Sequence, residues 1–126
     1  MKKINFIIPN EWGQYLYRIL SPIKELVDGI WEVDDIGEVD DLQAWENING
    51  EMVDLFDSKY FSNRDFFSLL GSHMYYIVSG KFSLKSPHEN RKDNLNAPYL
   101  EVIVTDSVYI SLLLMTRYYS PCIRMP

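Results

Sequence analysis

Apolar positions follow two rhythms along this chain, and the switches between them predict its elements. Residues 2–8 alternate and close in Phe6, Ile7 and Ile8, which predicts a first strand stopped at Pro9. Asn10 is a candidate N-cap. Trp12, Tyr15, Leu16, Ile19, Leu20 and Ile23 then recur at helical spacing, so an amphipathic helix is expected over 11–20. Proline lacks an N–H and clashes one turn back, so Ser21-Pro22 should open a second short helical piece, 22–27, that ends near Gly29.

Ile30, Trp31 and Val33 read as a strand, followed by an acidic stretch over 34–41. Segments 43–48 and 51–56 flank Asn49-Gly50, the pair that suits a two-residue hairpin turn because both positions need φ > 0. Ser62 is a candidate N-cap for a short helix carrying Phe66, Phe67, Leu69 and Leu70 and closed by Gly71. Segments 74–78 and 82–84 read as one long strand with a bulge at Gly80. Residues 86–98 form the long polar loop, expected to be the least ordered internal segment. Segments 99–105 and 108–113 alternate on either side of Asp106-Ser107 and predict a second hairpin. Hairpin connections with helices in two places predict an α+β fold. It should be a single domain with a mostly antiparallel sheet of about five to six strands, one longer N-terminal helix and a short second helix.

Size and composition agree with one folded domain. The 126 residues are 47% hydrophobic and 14% aromatic, which excludes a disordered chain. Cys122 is the single cysteine, so no intramolecular disulfide can form. Lys2 and Lys3 precede an apolar run of only 6–8, too short for a signal-peptide core. Later apolar runs, 112–115 among them, are far below the roughly 20 residues that span a bilayer. A cytoplasmic protein without membrane contact is expected.

Charge changes the picture more than composition does. Between Asp28 and Asp57 lie eleven acidic residues and no lysine or arginine, leaving seven acidic and twelve basic residues elsewhere. Such a segment disfavours nucleic acid and favours a basic protein partner. Glu32, Asp34, Asp35, Glu38, Asp40 and Asp41 surround Trp31 and Trp45, an anionic rim about aromatic anchors. That combination suits recognition of a protein or an organic cation.

No catalytic constellation accompanies it. Residues 34–38 have the letters of a calcium loop without its spacing, so no metal is expected. Eleven like charges offer no contrast between a protonated and an ionised carboxyl, as glycosidase chemistry requires. His73 and His88 have no cysteine or second histidine at metal-ligand spacing. Cys122 reads as a small hydrophobe. The six glycines are scattered, so no phosphate-cradling loop exists. Lys85, His88, Arg91 and Lys92 are interleaved with Glu89 and Asp93, which argues against nucleic-acid binding. No catalytic residue and no cofactor are assigned.

Phe6-Ile7-Ile8-Pro9-Asn10-Glu11 running into Tyr15-Leu16, then Ile30-Trp31, Tyr75-Tyr76-Ile77 and Val104-Thr105-Asp106-Ser107-Val108-Tyr109, resembles a small uncharacterised protein family of spore-forming Gram-positive bacteria, a domain of unknown function. The resemblance spreads over most of residues 4–110. It implies a small cytoplasmic α+β domain and carries over no activity, cofactor or site residue. The end departs from that pattern, in which a polar turn and an amphipathic helix follow the last hairpin. Residues 112–126 lack strand alternation and a helix cap. With A/T-rich codons, a frame two bases later gives S-F-T-Y-D-K-I-L-F-T-M-Y-K-N-A from position 111, a strand end and an amphipathic helix. On that reading the domain is 1–111, and 112–126 is an atypical tail that is not native.

Three function classes follow. The first is a non-enzymatic protein-binding, immunity-like module that uses the acidic 28–57 face. The second is a small-molecule-binding domain or enzyme with an aromatic pocket gated by 86–98. The third is a homodimeric structural component joined through a sheet edge.

Overall fold

A computed structural model describes residues 2–24, 28–36, 41–85 and 99–114. In chain order these form β1 (Lys2–Ile7), α1 (Tyr15–Leu20), a 3₁₀ turn (Ser21–Ile23), β2 (Ile30–Asp34), β3 (Gln43–Ile48), β4 (Glu51–Asp54), β5 (Tyr60–Ser62), α2 (Asn63–Ser72), β6 (Tyr75–Lys85), β7 (Leu100–Thr105) and β8 (Tyr109–Leu114). The strands make one eight-stranded sheet in the order β1-β8-β7-β6-β2-β5, with β3 also on β6 and β4 on β3. All of its pairings are antiparallel. No helix among the described residues is long and apolar enough to cross a membrane.

The fold expected from the sequence needs correction. The sheet has eight strands rather than five or six, and it dominates the molecule. There is no longer N-terminal helix: α1 has six residues, and the longer helix is α2 with ten. Gly13 is the reason. Its N–H and C=O both pair with Tyr75 at 3.0 Å, which holds the chain before α1 against the strand ladder. Trp12, at helical spacing from Tyr15 and Leu16, packs its ring against Tyr76 instead. The second helical piece is the 3₁₀ turn with Pro22 at its start, and 25–27 lie outside the described residues. The polar loop 86–98 also lies outside them. Strand β8 runs through Leu114, so residues 112–114 pair with both β7 and β1 beyond the expected boundary at 111, while 115–126 are not described.

Strand β6 organises the sheet. β2 lies along its C-terminal half, from Ile30↔Lys85 to Asp34↔Lys81, and β3 lies along its N-terminal half, from Gln43↔Ser79 to Glu46↔Tyr75. Between Gln43 and Ala44 the partner steps from Ser79 to Ile77, so Val78 is an extra residue and β6 bulges there. The bulge thus sits two residues before Gly80. Gly80 serves packing: a Cβ on it would come within 2.8 Å of Leu42 Cδ1 and 2.9 Å of Phe82 Cζ.

One face of the sheet is covered by the helices. Alternation along β2 sends Trp31 and Val33 inward, where Trp31 stacks on Phe66 of α2 with ring centroids 4.3 Å apart. Phe82, Leu84, Val102, Val104 and Ile110 complete the core beneath Leu16 and Leu20 of α1. Ser62 caps α2 as its sequence position suggested, its Oγ accepting from Asp65 N–H at 3.1 Å.

Two tyrosine hydroxyls satisfy backbone donors of α1 and β6. α1 has no side-chain N-cap, and the Tyr75 hydroxyl accepts from Tyr17 N–H at 3.1 Å. Tyr15 Oη accepts from Ile77 N–H at 2.8 Å, where β6 runs between the Gly13 bridge and its first pair with β7. In return, Gln14 Nε2 donates to the Gly71 and His73 carbonyls, both at 3.1 Å, at the end of α2.

Both sharp turns use φ > 0: Asn49 at 54° and Gly50 at 89°, Asp106 at 52° and Ser107 at 68°. A Cβ on Gly50 would meet nothing within 4 Å, so only the backbone resists substitution there. Gly50→Val is therefore expected to cost about 1–2 kcal/mol of stability. A urea midpoint unchanged from wild type would show that the turn readjusts freely.

Candidate protein-binding face

The β3–β4 hairpin carries acidic residues and no lysine or arginine. Ala44 is buried and lies opposite the buried Ile77, so the alternate positions turn to the other face of the sheet. There Trp45 sits between Tyr76 on β6 and Asp54 on β4. One rung further, Asn47 lies opposite Met52. Trp12 packs against Tyr76 with centroids 5.8 Å apart, and Tyr76 Oη donates to Asn10 Oδ1. Trp12, Trp45 and Tyr76 are half-buried, while Met52 and Met74 are 55% and 56% exposed. Two tryptophans, a tyrosine and two methionines thus stand at the surface beside the exposed carboxylates of Glu51 and Asp54.

The acidic residues of β2 are arranged differently. Glu32 Oε1 lies 2.6 Å from Lys85 Nζ, and Glu32 Oε2 lies 3.6 Å from Lys59 Nζ. Lys59 also reaches Asp34 at 3.7 Å. Asp34, with Glu32 behind it, holds the Lys59 ammonium above its usual pKa. Asp35 Oδ1 accepts from Leu42 N–H at 2.9 Å, closing the excursion between β2 and β3. The charge of Glu32 and Asp34 is therefore answered within the domain.

The eight residues expected to form the contact face separate accordingly. Trp31 is fully buried and cannot be a surface anchor, because the strand alternation it shares with Val33 turns it to the core. Glu32 and Asp34 are paired, whereas Asp35 and Asp41 are exposed. Glu38 and Asp40 lie outside the described residues. Trp45 occupies the aromatic patch. Trp12, Tyr76, Met52 and Met74 join it without having been singled out from the sequence. The available signal was the step Met74, Tyr76 on a strand whose odd positions, Tyr75 and Ile77, are buried.

Glu46, on the core-facing side of β3, is bound to His73: its Oε1 lies 2.5 Å from Nδ1. This carboxylate–imidazole pair links the hairpin to the end of α2. Among the described residues no three His, Cys, Asp or Glu side chains converge as a metal site would require. No family model, curated protein or solved structure matches this chain.

Proposed function

We propose that the protein is a non-enzymatic binding module whose β3–β4 face docks a basic protein partner. The observation that carries this reading is the half-buried Trp12–Trp45–Tyr76 patch at the surface with the exposed Met52 and Met74, beside a hairpin that holds only negative charge. Aromatic and methionine side chains supply the contact area of protein interfaces, and a rim of one sign steers a partner of the other. An immunity-like role, in which such a module neutralises a basic toxin, fits that chemistry.

The homodimer reading has one observation for it and one against it. Among the described residues β1 pairs with β8 alone, which leaves its other edge open, with Ile7 78% exposed. Lys2 and Lys3 stand on that strand, however, and lysine on an edge strand discourages pairing with another sheet.

The test compares wild type with two folded variants as baits for basic proteins. Glu51→Gln/Asp54→Asn should slow association and flatten its salt dependence, because rim charges act on the encounter rate. Trp45→Ala should speed dissociation, with a loss on the order of 2 kcal/mol, about thirtyfold in affinity. A partner that binds wild type and both variants equally at every salt concentration would overturn the proposal.

A further inference from the structure

Tyr17 of α1, Lys24, Asp28 and one side of α2 line an open groove of about 450 Å³, on elements that take no part in the β3–β4 face. Pockets that hold small molecules begin at roughly 300 Å³. Tyr17, Phe67 and Gly71 form its apolar wall. The Tyr17 ring meets Phe67 edge-on, with centroids 6.3 Å apart, and lies so close to α2 that a Cβ on Gly71 would come within 2.7 Å of its Cε1. Glycine at that position is what lets the ring approach the helix.

Two cations, Lys24 and Arg64, line this groove. Asn63, the first residue of α2, accepts from Trp31 Nε1 at 2.8 Å and donates to the Lys24 carbonyl at 3.0 Å. It thereby ties the Lys24 backbone to the start of the helix, next to Arg64. Lys24 Nζ lies 5.5 Å from the centre of the Tyr17 ring and 3.4 Å from its hydroxyl. Among the described residues neither Lys24 nor Arg64 makes an ion pair, although the protein carries a net charge of −6. Among the described residues Asp28 is the one acidic residue of the lining, against Lys24 and Arg64, and Ser68 and Ser72 add hydroxyl donors along α2.

We infer that this groove binds a small anionic aromatic molecule, with its acid group between Lys24 and Arg64 and its ring against Tyr17. The acid group gains charge-assisted hydrogen bonds from both cations. The ring gains an aromatic wall already fixed by Phe67 and α2. Phosphate and carboxylate share this chemistry, so both belong in the test.

Phenyl phosphate, benzoate, inorganic phosphate and phenol are titrated into the full chain and followed by amide shifts. Phenyl phosphate or benzoate should give saturable shifts at Tyr17, Arg64, Ser68 and Ser72, tighter than inorganic phosphate or phenol alone. Arg64→Gln should weaken that binding about tenfold, the loss of one charge-assisted bond, with unchanged thermal unfolding because Arg64 is exposed. Gly71→Ala should displace Tyr17 and weaken the aromatic anions while leaving inorganic phosphate unchanged. Shifts that never saturate, or saturable binding that Arg64→Gln leaves intact, would overturn the inference. Neither result bears on the β3–β4 face, which holds none of these residues.

Discussion

Trp31→Ala is expected to lower stability by about 3–5 kcal/mol, the range for emptying a large aromatic site in a core. The side chain is fully buried, stacked on Phe66 and edge-on to Phe67 with centroids 6.2 Å apart. Its loss also strips Asn63 Oδ1 of the indole N–H that it accepts, beside the carbonyl of Lys24. A domain of this size has roughly 5–15 kcal/mol in total, so the variant stands near the edge of folding. Trp31→Phe provides the graded measurement. It keeps most of the packing and should cost about 1–3 kcal/mol for the lost hydrogen bond and the void. Trp45→Ala, at the surface, should cost under about 1 kcal/mol. Urea midpoints for the three variants check the order. If Trp31→Ala unfolded no earlier than Trp45→Ala, the assignment of the first tryptophan to the core and the second to the contact face would fail.

Alkali should unfold this protein before it unfolds a domain with only surface tyrosines. Burial holds the Tyr15 hydroxyl up to about 12, although the Ile77 N–H that it accepts pulls the other way. Burial likewise raises Tyr75, against the Tyr17 N–H. In the unfolded chain both ionise near 10. Stability is thus present in full below pH 10 and is lost as pH climbs toward the folded values, because the unfolded state releases protons first. One pH unit of such a difference is about 1.4 kcal/mol, and residual solvent screening leaves on the order of 1–2 kcal/mol lost through Tyr15 by pH 12. The urea midpoint should be level from neutrality to pH 9 and then fall. Tyr15→Phe should reduce that slope while costing about 1–3 kcal/mol at neutral pH, where Ile77 N–H loses its buried acceptor. A midpoint that stays level through pH 11 would contradict the argument.

What the sequence made visible was local. Asn49-Gly50 announced its turn through the φ > 0 requirement, Ser62 announced the cap of α2, and alternation located β1, β2, β7 and β8 to within a residue or two. The same alternation held the correct face for Trp31. It sits between Glu32 and Ile30 and in step with Val33, so an acidic neighbour says nothing of its own exposure. The excess length of the expected N-terminal helix came from Trp12, whose spacing fits a helix and whose ring packs on Tyr76 of β6 instead. Only the long-range pairing of Gly13 with Tyr75 decides between those uses, and no local pattern encodes it. β5, three residues long, is too short to leave a periodic trace and exists because β2 offers it an edge. For the candidate sites, net charge pointed to a stretch of chain and no further. It could not show that Lys59 and Lys85 return to cancel Glu32 and Asp34, or that Arg64 makes no ion pair among the described residues.

The ladder between β1 and β8 joins Asn5 to Ser111, and a side-chain hydrogen bond of 2.8 Å repeats the link. This gives the molecule a timetable. As the chain leaves the ribosome, residues 2–7 emerge more than a hundred residues ahead of their neighbour β8. Contacts so distant along the chain close slowly, since loop entropy must be overcome before they contribute anything. The β6–β7–β8 meander can assemble as soon as it is synthesised, and β1 would then add last, to a template already formed. Nascent chains stalled short of residue 109 should accordingly keep their N-terminal segment open to protease long after β2 and β3 have closed on β6.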